Sequence, residues 1–98
     1  MKLEFSARAV REIQRSLDWW AKNRPDAPSL LSQELEQSLD LLKQGAPVGE
    51  LWNEHRGVEV FRLVLKRTKR KLYFSRAKSH VVQIHCLWGG QRGREPKL

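Results

Sequence analysis

Apolar positions recur along this chain with two different periods, and the change of period splits it into two parts. Lys2 to Phe5 alternates, with Leu3 and Phe5 on one side, which predicts a short first strand. Val10, Ile13, Leu17 and Trp20 then return every three or four residues, the spacing of one helix face. Ser6 stands where a capping hydroxyl belongs, and the helix is expected to end near Asn23, with Trp19 at the edge of the stripe. Arg24-Pro25 breaks it, because the residue before a proline disfavours helical geometry. Asp26 is placed to cap a second helix, with Pro28 in its first turn. Leu31, Leu35, Leu39 and Leu42 form its apolar stripe, and the glycines and proline of residues 45–49 stop it. So short a connection predicts an antiparallel helix hairpin.

Beyond a loop containing Trp52, the period falls to two. Val58–Lys66, Lys71–Arg76 and Val81–Trp88 read as three successive strands joined by hairpin-length connections. The expected architecture is α+β in two layers: an N-terminal strand, the helix hairpin, then a three-stranded antiparallel meander, together making a four-stranded sheet. Residues 1–98 are expected to form a single domain.

Alternation also sorts the strand residues by face. Phe61, Leu63, Leu65, Leu72, Phe74, Val82, Ile84, Cys86 and Trp88 are assigned to the side facing the helices. The other side then carries Val60, Arg62, Val64, Lys66, Lys71, Tyr73, Ser75, Val81, Gln83, His85 and Leu87, with Arg92 at its margin.

Charge sharpens the picture. Residues 1–55 hold seven Lys/Arg against nine Asp/Glu, residues 56–78 hold nine against one, and residues 79–98 three against one. The formal net charge of +8 is therefore concentrated in the strands, a field suited to phosphate backbones or to an acidic protein. A membrane surface fits less well, since no basic amphipathic helix accompanies the run. The single cysteine, Cys86, excludes an intrachain disulfide and reads as a buried thiol. The N-terminus has no apolar signal segment, so a cytoplasmic location is expected. No Cys/His spacing suggests zinc and no glycine-rich loop opens a helix, so neither a metal nor a cofactor is expected.

Two chemistries are open to the charged face. Arg62, Lys66, Tyr73, His85 and Arg92 contain the parts for phosphodiester cleavage: cations to offset charge on phosphoryl oxygens and an imidazole to move a proton. Arg62, Lys66, Lys71, Tyr73 and Arg92 equally suit binding of a nucleic acid or another target without chemistry. Each also has an ordinary explanation: ion pairing for Arg62, strand packing for Tyr73, a structural role for His85, and a solvated hairpin tip for Lys66 to Lys71.

The whole chain resembles the RelE/ParE superfamily of toxins from bacterial type II toxin–antitoxin modules. The resemblance lies in FSARAVREIQRSLDWW, NRPDAPSLLSQEL, APVGE, GVEVFRLVLKRTKRKLYFS and VVQIHCLWGGQRGREP, in that order. It implies a growth-inhibiting toxin, of the kind that serves plasmid stabilization, neutralised by a cognate antitoxin in a hetero-oligomer. RelE-like members cleave messenger RNA on the ribosome, whereas ParE-like members poison DNA gyrase. By position, Arg62 matches the recurrent Arg of the second strand of the pattern, Tyr73 the aromatic of the third, and Trp88 and Arg92 the closing motif. Gly89 stands where His is frequent, Gln91 where a further Arg is frequent, and no Tyr follows Arg92. The resemblance therefore leans toward a ParE-like gyrase inhibitor. A RelE-like messenger RNA endonuclease and a non-toxic binding module in a repressor complex are the alternatives.

Overall fold

A computed structural model describes residues 1–78, 80–89 and 94–98 of the chain. Its elements run β1 (Lys2–Phe5), α1 (Ala7–Asn23), α2 (Leu30–Lys43), β2 (Glu50–His55), β3 (Val58–Leu65), β4 (Arg70–Lys78) and β5 (Val81–Trp88). The strands form one sheet in the order β1-β5-β4-β3-β2. β1 pairs with β5 in parallel, Leu3 opposite Val82 and Phe5 opposite Ile84, and every other neighbour is antiparallel.

The expected four-stranded sheet is thus corrected to a mixed sheet of five. The segment read as a loop around Trp52 is an edge strand, hidden from the sequence pattern by two local features. A register shift between Leu51 and Asn53 breaks its alternation around Trp52. Its turn into β3 uses Arg56 and Gly57, both at positive φ (53° and 79°), where Asn-Gly or Asp-Gly would have advertised a two-residue hairpin.

The helices follow their sequence signals closely. The Ser6 hydroxyl accepts a hydrogen bond from the Ala9 amide at 2.9 Å and donates one to the His85 carbonyl at 2.8 Å, so a single side chain caps α1 and fastens it to β5. α2 begins later than expected, with Ser29 and not Asp26 at its N-cap position. The intervening loop is held by the Trp20 indole, which donates to the Ala27 carbonyl at 2.8 Å. On α1 the buried stripe runs through Ala9, Ile13, Leu17 and Trp20, while Val10, expected inside, is 56% exposed.

Both helices cover one side of the sheet. Leu31, Leu35 and Leu42 of α2 meet Leu65, Leu72, Phe74, Val82 and Ile84, and the Phe61 and Phe74 rings stack at 5.7 Å between centroids. The approach to β2 is tight. Gly49 has φ of +90°, and a Cβ there would stand 3.0 Å from the Phe74 ring. The β3–β4 turn is fixed from α2, because the Glu34 carboxylate accepts from the Arg67 amide (2.8 Å), the Thr68 amide (2.9 Å) and the Thr68 hydroxyl (2.7 Å). Burial would raise the Glu34 pKa, but these hydrogen bonds outweigh it and hold the carboxyl below its ordinary value.

The β2–β3 turn yields a stability prediction. A left-handed conformation costs an ordinary residue roughly 1 to 2 kcal/mol, and asparagine adopts it more readily. Arg56→Asn is expected to stabilise the protein by about 0.5 to 1 kcal/mol, read as a higher urea midpoint at unchanged slope. A lower midpoint would contradict the turn geometry.

Candidate functional site: a sheet face closed by the C-terminal segment

The sheet face turned away from the helices is not open. Arg62, Tyr73 and Cys86 lie side by side across β3, β4 and β5. Tyr73 and Cys86 are fully buried, and Val60, Trp52 and Trp88 pack with them as a second apolar cluster. The Tyr73 and Trp52 rings meet edge to face at 4.8 Å, a favoured aromatic geometry.

This cluster rests on a bulge in β5. Tyr73 pairs with Cys86 but Phe74 pairs with Ile84, which leaves His85 as the extra residue. Beyond the bulge, the face assignment made from alternation is reversed. Cys86 and Trp88, expected against the helices, join the opposite cluster, and Leu87 turns into the main core. Glu12 supports the shifted strand, its carboxylate accepting from the Leu87 amide at 3.2 Å and from Arg8 Nε at 3.1 Å.

The C-terminal segment closes the face from above. The Trp88 indole donates to the Arg94 carbonyl at 3.2 Å, and Arg8 donates to the Lys97 carbonyl at 2.5 Å. Pro96 is buried, and a cleft of about 320 Å³ runs between residues 95–98 and Trp52, Asn53, His55 and Val60.

Electrostatics set what each polar residue offers. The Arg62 guanidinium donates from Nε (3.0 Å) and Nη2 (2.5 Å) to one Glu50 oxygen across the β2–β3 pairing, and that carboxylate holds its pKa above the ordinary value. Burial pushes the Tyr73 phenol up, partly offset by Arg62, and its hydroxyl has no hydrogen-bond partner of good geometry. Burial, reinforced by the Glu12 carboxylate, pushes the Cys86 thiol up to about 12. His85 is half-buried, its pKa lowered by burial, and its Nε2 lies 2.7 Å from the hydroxyl of the fully buried Ser75.

The structure therefore brings Arg62 and Tyr73 together and sets His85 beside them at the bulge. Lys71 shares the face farther along β4, opposite Val64 and Trp88. Lys66 is exposed in the β3–β4 turn, away from the Arg62–Tyr73 row. Arg92 lies outside the described residues. Sequence reasoning missed Glu50, Trp52 and the C-terminal segment as parts of this face. The Arg8–Glu12 pair did carry a signal, an opposite-charge i,i+4 spacing on α1. Among the described residues, no three His, Cys, Asp or Glu side chains group as metal ligands would. Nor is any helix long and apolar enough to cross a membrane. A buried phenol, an inert thiol, an imidazole engaged with a serine and an ion-paired arginine make a packed surface with a basic rim.

Comparison with solved structures finds a protein of the same fold. It is a chain of the "Chromosomal ParDE TA system from P. aeruginosa", with a TM-score of 0.69 and 21% sequence identity over 93% of this chain and 97% of that one. No protein-family model matches the sequence. No curated protein matches it either.

Two measurements check the geometry. Cys86 should stay unreactive toward a thiol-specific disulfide reagent at mildly alkaline pH and react fully once urea unfolds the chain; fast labelling of the folded protein would contradict its burial. Burial holds His85 neutral, so the folded state takes up its proton at lower pH than the unfolded chain, which does so near 6.5. The unfolded state then binds more protons, so stability from neutral His85 is complete above about pH 6.5 and drains away as pH falls toward the folded value. The urea midpoint should drop between pH 7.5 and 5.5 by less in His85→Gln than in the wild type (pH values about one unit either side of the unfolded pKa).

Proposed function

We propose that this chain is the ParE-like toxin of a type II toxin–antitoxin pair and that it inhibits DNA gyrase by binding it. The observation that carries this reading is the state of the sheet face where an RNA-cleaving relative would be expected to hold its chemistry. Tyr73 is sealed beneath Trp52, and Arg62 is engaged by Glu50. His85 is tied to Ser75. A general acid or base must reach the proton it transfers, and the burial of Tyr73 with the pairing of Arg62 to Glu50 and of His85 to Ser75 weighs against that role. The fold shared with a chain of a ParDE system supports the same reading. The cognate partner is an antitoxin protein, and the pair acts in the cytoplasm as a hetero-oligomer.

The test is a parallel assay of purified, antitoxin-free protein on gyrase supercoiling and on ribosome-bound messenger RNA. Supercoiling is expected to fall in proportion to added protein while the message stays intact. Cleaved message with normal supercoiling would establish the endonuclease alternative. Unimpaired growth of cells expressing the chain alone would point instead to a non-toxic binding module.

A further inference from the structure

The basic charge that the sheet face does not absorb gathers elsewhere, at the end of the molecule where α1 stops and the β3–β4 turn projects. Arg70 alternates with Leu72 and Phe74 along β4, so its side chain lies on the helix side of the sheet. There it reaches the last turns of α1. Its guanidinium carbon stands 5.5 Å from the ring centroid of Trp19 and 5.6 Å from that of Trp20. Arg24, just past the helix end, approaches the same two indoles at 5.4 and 5.7 Å. Two like charges have been brought onto one aromatic pair.

Cation–π contact explains part of this arrangement, since an indole face attracts a guanidinium. It does not explain the lack of a counter-ion. Among the described residues, neither guanidinium has a carboxylate within 4.0 Å. Glu34, reaching from α2, is occupied by the turn amides and the Thr68 hydroxyl. The protein oxygens these arginines reach are backbone carbonyls, Thr68 for Arg70 and Asn23 for Arg24, each at 3.2 Å. Arg70 Nε is buried with no acceptor. Burial, and then the charge of Arg24, press against the protonated form of Arg70. An anion placed between the two would relieve both penalties.

We propose that Arg24 and Arg70, held on the Trp19–Trp20 pair, clamp the phosphodiester backbone of a nucleic acid, at a site distinct from the Arg62–Tyr73 face. A phosphodiester has two free oxygens, enough to engage both guanidinium forks, and its charge repeats at the next nucleotide. Lys66, Arg67 and Lys69 stand exposed in the adjoining turn to meet those further phosphates. Trp19, 44% exposed, offers an indole for a base to pack against. A partner protein's carboxylate would satisfy the arginine pair but leave that ridge of cations without repeating anions. The site carries no sequence readout, so binding is general and strongly dependent on salt. It does not depend on which target the toxin reading assigns.

The test is fluorescence-anisotropy titration of a labelled single-stranded oligonucleotide with the purified full chain, repeated over a range of salt. Arg24→Gln/Arg70→Gln is expected to weaken binding about tenfold or more and to flatten the dependence of log K on log salt by roughly 1 to 1.5, as losing two phosphate contacts requires. Arg11→Gln/Arg15→Gln, which removes the same charge from the outward side of α1, should cost less than about threefold. Arg24 is exposed, so Arg24→Gln alone keeps the test valid should Arg70→Gln disturb folding; about a threefold loss is expected. Equal losses in the two double variants would reduce the effect to net charge and overturn the clamp. Undetectable binding by the wild type would overturn it as well. Polyglutamate displacing the oligonucleotide at equal charge concentration would reassign the site to an acidic protein.

Discussion

Four consecutive residues of β4, Leu72, Tyr73, Phe74 and Ser75, are completely removed from solvent, and the rest of the structure is arranged to make that possible. Successive strand residues point to opposite faces, so such a run requires cover on both sides. The helices supply one cover through the leucines of α2 and the stripe of α1. The other is assembled from Trp52, Trp88 and the C-terminal residues around Pro96. The bulge at His85 makes the second cover possible, because it turns Cys86 and Trp88 toward the far side while sending Leu87 back into the main core.

Double cover changes the meaning of the basic charge. Arg76 lies over the Phe61 and Phe74 rings and donates to the Ala46 carbonyl at 2.9 Å, pinning the loop before β2. Arg62 is ion-paired with Glu50. Long cationic side chains commonly spend their stems and planar heads on packing, so a count of charges overstates what a partner meets. The turn residues, with Arg24 and Arg70, hold more of the charge still available.

The extent to which the sequence could be read depended on whether each signal was local. Helix limits at Ser6 and Asn23, the leucine stripe of α2 and three strands were visible because capping, break and period are written in neighbouring residues. β2 was invisible because its alternation is interrupted at Trp52 and its turn is built on Arg56. Arg62 and Tyr73 were correctly placed on one face, yet their burial and pairing depend on Glu50 and Trp52 from the strand that was missed. The swapped positions of Cys86, Leu87 and Trp88 follow from a bulge whose supporting contacts come from α1, more than seventy residues earlier in the chain. Strict alternation cannot register that.

The parallel pairing of β1 with β5 joins the two ends of the folded sequence, Lys2 opposite Val81. Joining such distant segments carries a loop-closure cost that the β3–β4–β5 meander, built from near neighbours, does not face. During synthesis the first strand therefore has no partner until the last one emerges from the ribosome. The sheet acquires its β1 edge, and α1 its fastening through Ser6 to His85, only once β5 has been made. A chain of this design is assembled by its own last strand.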